Sequence, residues 1–249
     1  MDDVIEIMDD LEMTDKPTKN VYQYSARRIV FCIDMSDEMN EILRASGNGG
    51  VKDTNLYSSS RLETVKRFLK RYVATNKLIG NDKDEYAIVL LTDVAVWSVD
   101  FTINASVFNT EIDGLSEDRL RTYVGFDMQS LGDTLNAKLR LQNVDYYYQA
   151  IVIYGRSSLP TLPENDVFTN MRKRNNFMLD VLFLHDGFKD TTAQAIYDCW
   201  SELDKPTRPG WFYECSLFTG KDKIAEALSQ LIGHPAYRAE QPEPNNHAI

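Results

Sequence analysis

The chain has 249 residues, and its 38 acidic against 27 basic side chains give a formal net charge of −11. This charge disfavours direct binding to nucleic acid or to anionic membrane surfaces, because both are negatively charged themselves. The hydrophobic fraction of 43% is ordinary for a globular protein and predicts a packed core. The three cysteines, Cys32, Cys199 and Cys215, form no close pair, which favours a reducing compartment over a disulfide-linked fold.

The first 20 residues are strongly acidic. They lack the basic and then apolar pattern of a secretory signal, and no apolar run in the chain approaches the ~20 residues of a membrane span. We expect residues 1–20 to form a mobile acidic arm, because they offer few apolar side chains to bury. The sequence therefore predicts a soluble, intracellular protein.

The first half of the chain predicts a strand, a helix and a hairpin. The apolar run RIVFCID is typical of a central strand covered on both faces, with Asp34 at its carboxyl end. A polar stretch containing GNGG at residues 47–50 is predicted to be largely loop. Apolar residues then recur at helical spacing behind capping serines: Leu62, Val65, Phe68, Leu69, Tyr72 and Val73. Residues 85–93 and 94–102 predict two strands joined closely enough to form an antiparallel hairpin.

The second half alternates between helices and strands. Helices are predicted over residues 104–115, 130–141, 167–172 and 191–203, strands over 146–155, 177–186 and 210–218, and a last helix that stops at Gly233 and Pro235. This order predicts an α/β fold: a doubly wound, mostly parallel sheet with one antiparallel edge strand and helices on both faces. We assign residues 21–235 to one domain and residues 236–249 to a polar C-terminal tail.

Ligands of such sheets bind beyond the carboxyl ends of the strands. We expect that rim to bring together Asp34, Thr92, Asp93, Gly155 and residues 185–187.

The known catalytic and cofactor patterns are absent from the sequence. GNGG lacks the spacing of a phosphate-binding loop, and the apolar strands around Cys32 and Cys215 predict buried thiols. The three histidines, His185, His234 and His247, match no zinc motif. We therefore predict no catalytic residue and no cofactor.

The strongest candidate for a metal site is the stretch DMSDE, which follows the first strand. Asp34, Ser36 and Glu38 are oxygen donors of the kind that Mg²⁺ prefers, so a metal held by Asp34 and Glu38 is one interpretation. The other is that Asp34, Ser36 and Asp37 accept hydrogen bonds from loop backbone and cap the next segment. The residues alone leave both open.

The chain resembles a von Willebrand factor A domain, in its first strand ending in Asp-x-Ser, its amphipathic first helix, its hairpin and its later parallel strands. More narrowly, RIVFCIDMSDEMN, EYAIVLLTDVAVW, FDMQSLGDTL, IVIYGRSSLP, FMLDVLFLHDG and LSQLIGHPAYR together resemble the MERIT-type scaffold family. That family is shared by the BRISC deubiquitinase assembly and its nuclear, BRCA-associated sister. The resemblance covers residues 28–238.

The resemblance implies that Asp34, Ser36 and Glu38 are a degenerate metal site. Metal-binding A domains place a second Ser where Glu38 stands, and they add a threonine loop and a later strand-end aspartate. Here the later strand ends at Gly155 and Arg156, and an arginine opposes a cation. Ser130 and Thr134 are candidates for the threonine loop.

The resemblance also implies a non-catalytic scaffold that is both cytoplasmic and nuclear. Its complex would contain a ubiquitin-conjugating-enzyme-like subunit of the BRE type, an MPN scaffold subunit and a zinc MPN deubiquitinase that cleaves lysine-63-linked ubiquitin chains. The family contacts the enzyme-like subunit through a Pro-x-x-Arg segment, so Pro235, Tyr237 and Arg238 are implied to bind that partner. The alternatives are a metal-dependent ligand-binding A domain that uses Asp34, Ser36 and Glu38, and a small-molecule enzyme built on His185 and Asp186.

Overall fold

The computed structural model describes residues 26–43, 59–185, 190–203, 210–216, 220–239 and 241. The predicted acidic arm, the GNGG segment, Asp186, Gly187, His247 and most of the C-terminal tail lie outside these residues.

The central sheet has six strands in the order β5-β4-β1-β6-β7-β8. Its strands are β1 (Ala26–Asp34), β4 (Glu85–Leu91), β5 (Ala95–Thr102), β6 (Tyr146–Tyr154), β7 (Phe177–His185) and β8 (Phe212–Ser216). β5 runs antiparallel to β4, whereas all the other pairs are parallel. The predicted α/β class, the antiparallel edge strand and the order of elements are confirmed.

The helices cover both faces of the sheet. They are α1 (Arg61–Ile79), α2 (Ala105–Asp113), α3 (Met128–Lys138), α4 (Val167–Arg172), α5 (Asp190–Ser201) and α6 (Gly220–Leu231). α1, α2 and α6 contribute to the apolar core on one face, and α3, α4 and α5 to the core on the other. α3 begins two residues before its predicted start, because Asp127 caps it by accepting a hydrogen bond from the Gln129 amide at 2.8 Å.

Burial on both faces of the sheet explains why the strands are apolar at nearly every position. Along β1, Ile29, Phe31 and Ile33 enter one core, while Val30 and Cys32 enter the other. Because successive side chains alternate between faces, a strand covered on both sides must be apolar at nearly every position. Each large apolar side chain so buried contributes about 1.5–3 kcal/mol to folding.

A short ribbon follows the first strand where the sequence predicts mainly loop. β2 (Ile42–Leu43) pairs antiparallel with β3 (Ser59–Ser60), and a 3-10 turn at Asp37–Asn40 precedes it. The Arg61 amide donates to the Glu41 carbonyl at 2.9 Å, so the ribbon leads directly into α1. Within the described residues, no helix is both long and apolar enough to cross a membrane.

Candidate functional site

Asp34 ends β1 at the centre of the sheet, between β4 and β6, and is fully buried. This is the carboxyl end of the parallel strands, where a fold of this class places its ligands. The segments that follow β4 and β6 and the segment that precedes α3 all reach this rim, as the hydrogen bonds of Arg156 demonstrate.

Arg156 fills the space beside Asp34. Its Nη2 donates to Oδ1 of Asp34 at 2.6 Å, and its Nε lies 3.2 Å from both carboxylate oxygens. The remaining donors reach backbone carbonyls: Nη1 donates to Thr92 at 2.8 Å and to Gly125 at 2.9 Å, and Nη2 donates to Leu91 at 2.8 Å. Every N–H group of this guanidinium therefore has an acceptor within the chain.

The electrostatics keep Arg156 charged although it is only 1% exposed. Burial alone would lower the pKa of its guanidinium, but the charge and hydrogen bonds of Asp34 outweigh burial, and the pKa lies above its ordinary value. Three aromatic rings also lie within 6 Å of the guanidinium carbon, at Tyr123, Phe126 and Tyr154.

Asp34 has no oxygen left for a divalent cation. Besides Arg156, its Oδ1 accepts from the Ser36 amide and its Oδ2 from the Gly155 amide, both at 2.8 Å. A Cβ at Gly155 would lie 2.3 Å from the Met39 sulfur, so a larger residue there would force the Met39 side chain to move. A cation would have to compete with a fixed positive charge for the same carboxylate, so this donor set does not suit a metal.

Of the other two proposed ligands, Glu38 is engaged elsewhere, whereas the Ser36 hydroxyl is not. Glu38 Oε1 accepts from the amide of Ser157 at 2.8 Å and from its hydroxyl at 2.9 Å. The Ser36 hydroxyl is buried and makes no hydrogen bond with any residue that the structure describes. Asp34 thus accepts from loop backbone as the second interpretation of DMSDE predicts, but Ser36 does not cap the turn through its side chain.

Ser130 and Thr134, the two candidates for the threonine loop, bond to β5 instead. The Ser130 hydroxyl accepts from the Ala95 amide at 2.8 Å, and Thr134 donates to the Ala95 carbonyl at 3.3 Å. Both hydroxyls therefore tie α3 to β5. Thr122 donates to Asp37, and Asp93 is exposed next to the rim.

The sequence did not predict a second buried arginine, Arg61. Arg61 is fully buried and donates to the Gly155 carbonyl and to Glu41, both at 2.6 Å. It holds the Gly155 carbonyl while Asp34 holds the Gly155 amide, so this peptide segment is fixed on both sides. The available indication was its position four residues before Val65, on the apolar face of α1.

His185 and the cysteines do not join the Asp34 cluster. His185 lies on β7, which β6 separates from β1, and its Nε2 is 2.7 Å from Glu214. Cys32 and Cys215 are buried as predicted, and burial raises the pKa of the Cys215 thiol to about 12. Among the described residues, no three His, Cys, Asp or Glu side chains are grouped to hold a metal.

The predicted partner-binding turn lies at the opposite end of the sheet, and its arginine is bonded to other residues of the same chain. Pro235 is buried, Tyr237 is 66% exposed, and the Arg238 guanidinium donates to Asp180 at 2.8 and 3.0 Å. Arg238 also donates to the carbonyls of Leu231 and Gly233, at 3.1 and 2.9 Å, at the end of α6. The side chain that the sequence assigns to a partner is therefore paired within the chain, and Tyr237 is the exposed member of the three.

A buried network extends from Arg238 beneath the sheet. Gln149 donates to Asp180 at 2.8 Å, and Arg27 donates to the Ile232 carbonyl at 2.8 Å and is paired with Asp84. Two arginines thus bind the last carbonyls of α6, where the helix dipole is negative. The sequence indication for this network was polar residues inside apolar strands, Asp180 in FMLDVLFL and Gln149 in YYYQAIVIY.

Comparison with known proteins supports the resemblance. No family model matches the chain. A Xenopus laevis protein named BRISC and BRCA1-A complex member 1 is 22% identical over 222 residues, which cover 86% of this chain and 65% of that protein. The human protein of the same name is 21% identical over 225 residues, covering 85% and 64%. The chain therefore spans about two thirds of the length of these relatives.

Solved structures share the fold at low identity. BatB from Bacteroides thetaiotaomicron superposes with a TM-score of 0.50 at 12% identity, covering 82% of this chain and 98% of that one. Proximal thread matrix protein 1 from the mussel byssus, solved with a zinc-occupied MIDAS motif, gives 0.51 at 12%, covering 84% and 46%. The chain has a von Willebrand factor A fold and is similar, over most of its length, to the proteins named BRISC and BRCA1-A complex member 1.

Proposed function

We propose that the chain is a non-catalytic scaffold subunit of a BRISC-like deubiquitinase complex specific for lysine-63-linked ubiquitin. Its partners are a ubiquitin-conjugating-enzyme-like subunit of the BRE type, an MPN scaffold subunit and a zinc MPN deubiquitinase that performs the chemistry. The chain then serves ubiquitin signalling and the DNA-damage response in the cytoplasm and the nucleus. The relatives named as complex members support this proposal, since they match most of the chain.

The Arg156–Asp34 pair is the observation that carries the non-catalytic role. It uses every donor of the guanidinium and both oxygens of the carboxylate at the position where the fold binds ligands. Asp34 and Arg156 are therefore paired with each other and with backbone groups, and neither is left open to bind a metal or a substrate. The alternative metal-dependent A domain, which needs Asp34, Ser36 and Glu38 as ligands, is disfavoured for this reason.

A titration with Mg²⁺ or Mn²⁺ separates these two functions. The scaffold proposal predicts no heat of binding by calorimetry and an unfolding temperature that is unchanged by either ion. Saturable binding that Asp34→Asn abolishes would instead support the metal-dependent domain.

We place the contact with the enzyme-like subunit on the turn that contains Pro235, Tyr237 and Arg238. Pro235 is buried and Arg238 is clamped to Asp180, so both fix the turn and Tyr237 presents its ring outward. A substitution at Arg238 would disturb the fold itself, whereas Tyr237→Glu changes the exposed surface. Aromatic side chains are frequent energetic centres of interfaces.

Capture of the purified enzyme-like subunit by the immobilised chain tests this contact. Tyr237→Glu should weaken capture by about tenfold or more, as expected for the loss of an interfacial aromatic residue. Val107→Glu, at a 47% exposed valine on α2, is the matched control and should leave capture unchanged. If Tyr237→Glu binds like the unmodified chain, the turn is not the contact.

A further inference from the structure

Four apolar side chains are exposed near the closed rim. They are Val94 at 41%, Val124 at 100%, Leu159 at 53% and Leu162 at 38% exposure. We call them the corner patch. Single exposed apolar residues are ordinary on protein surfaces, but exposed apolar residues that gather in one place mark interaction sites.

Backbone hydrogen bonds bring the three segments of the corner patch together. The Asp127 amide donates to the Asp93 carbonyl at 3.0 Å, which fixes the residue before Val94. The Thr161 amide donates to Phe126 at 2.8 Å, and the Met128 amide donates back to Thr161 at 3.1 Å, which fixes the stretch between Leu159 and Leu162. The segments of Val94 and of Leu159 and Leu162 are thus both bonded to the stretch just after Val124.

Val124 is held in place although its side chain is fully exposed. The Arg121 amide donates to the Met35 carbonyl at 3.2 Å on one side, and the Gly125 carbonyl accepts from Arg156 at 2.9 Å on the other. The ion pair that closes the rim therefore also fixes the segment that presents this valine. An exposed apolar side chain on a fixed backbone loses little conformational entropy when a partner covers it.

The charged side chains nearest to the corner patch are mostly acidic, although the exposed Arg121 lies three residues before Val124. Residues 92–96, 122–134 and 157–166 contain no Lys or Arg, and their acidic residues are Asp93, Asp127, Asp133, Glu164 and Asp166. All of these are exposed except Asp127, which is half-buried. Gln129 links two of the segments, because it donates to Asp133 at 2.9 Å and accepts from the Asn165 amide at 3.3 Å.

We propose that the corner patch binds a basic amphipathic segment of another protein, whose apolar residues cover Val94, Val124, Leu159 and Leu162 while its Lys and Arg side chains face the surrounding carboxylates. Apolar contact supplies affinity, and the predominantly acidic border favours a basic partner. The end of the sheet that binds metal-linked ligands in other A domains would here bind a peptide-like surface. This proposal is independent of the assignment of the Tyr237 turn.

Fluorescence anisotropy with the full chain tests the proposal. The probe is a labelled synthetic peptide of about 18 residues with Leu and Lys arranged as an amphipathic helix, and its control is a scrambled peptide of the same composition. We expect the amphipathic peptide to bind at least about tenfold more tightly than the scrambled one, and Leu159→Glu and Val124→Glu to weaken it by about tenfold.

Whether a Glu substitution weakens or strengthens peptide binding distinguishes this site from a nonspecific electrostatic attraction. Each Glu adds negative charge, so a purely electrostatic attraction between the acidic chain and the basic peptide would become stronger. Val144→Glu, at a 67% exposed valine before β6 at the other end of the sheet, should not weaken binding. Unchanged or tighter binding by both patch variants, or an equal loss with Val144→Glu, would overturn the proposal.

Discussion

At the scale of the residue, Arg156 determines what the rim can do. It places a cation that belongs to the chain beside Asp34, and it joins the ends of β1 and β4 to the segments before α3 and after β6. A buried ion pair contributes little net stability relative to an apolar pair, but removal of one partner leaves an uncompensated buried charge. Removal of either Asp34 or Arg156 alone is therefore expected to cost more stability than the pair itself contributes.

Arg156→Ala should destabilise the chain by about 3–5 kcal/mol, because Asp34 would remain buried without its counter-charge. Urea unfolding followed by circular dichroism measures this loss. Lys70→Ala is the control, since Lys70 pairs with Asp113 where the two side chains are 36% and 58% exposed. That control should cost less than about 1 kcal/mol, and a similarly small loss for Arg156→Ala would contradict the role of the pair.

His234 should remain neutral well below the ordinary pH range of histidine. Burial, together with the positive charges of Arg27 and Arg238, lowers its pKa to about 4. Its Nδ1 accepts from the Ala236 amide at 3.2 Å, which requires an unprotonated nitrogen. Since the unfolded chain takes up this proton near pH 6.5, the contribution of His234 to stability should be full above that pH and should fall as the pH drops towards 4.

Titration of the His234 ring resonances by NMR measures this pKa directly, with His234→Gln used for assignment. A midpoint near 6.5 in the folded chain would contradict the burial of this histidine.

At the scale of the element, the end of α6 is clamped by the Arg238–Asp180 pair. Arg238→Met and Asp180→Leu should each destabilise the chain by about 3–5 kcal/mol, because each leaves a buried charge. The double variant should lose clearly less than the sum of the two, which a double-mutant cycle in urea detects. Additive losses would indicate that the two side chains do not depend on each other.

The packing of α3 against α4 should reverse the usual preference for alanine in a helix. A Cβ at Gly132 would lie 2.3 Å from Cγ1 of Val167 and 3.0 Å from the Phe168 ring. Gly132→Ala should therefore destabilise the chain by about 1–3 kcal/mol, although alanine normally gains about 1 kcal/mol over glycine inside a helix. Thermal unfolding measures the difference, and a stabilised variant would rule out this close approach.

The elements were largely predictable because their signals are local. Continuous apolar runs identified β1, β6 and β7, and helical spacing identified α1 and α6. The site was less accessible, because the pairing of Asp34 with Arg156 joins residues that the sequence separates by 122 positions. The sequence indicated that an arginine stands where an acid was expected, but the hydrogen bonds that it makes depend on how three segments converge. Asp180 and Arg238 could likewise each be recognised in the sequence, but their pairing could not be predicted from it.

At the scale of the whole molecule, the two ends of the sheet differ. The carboxyl end is closed by Arg156 and bordered by the corner patch, and the amino end carries the clamped turn with Tyr237. We propose that this chain assembles with partners through its surface, without a metal at Asp34.

Co-elution of the chain with the purified ubiquitin-conjugating-enzyme-like subunit in size-exclusion chromatography tests this claim most directly, when it is performed in excess EDTA and in excess Mg²⁺. The account predicts the same stable complex in both conditions. Absence of a complex, or a complex that forms only with Mg²⁺, would contradict it.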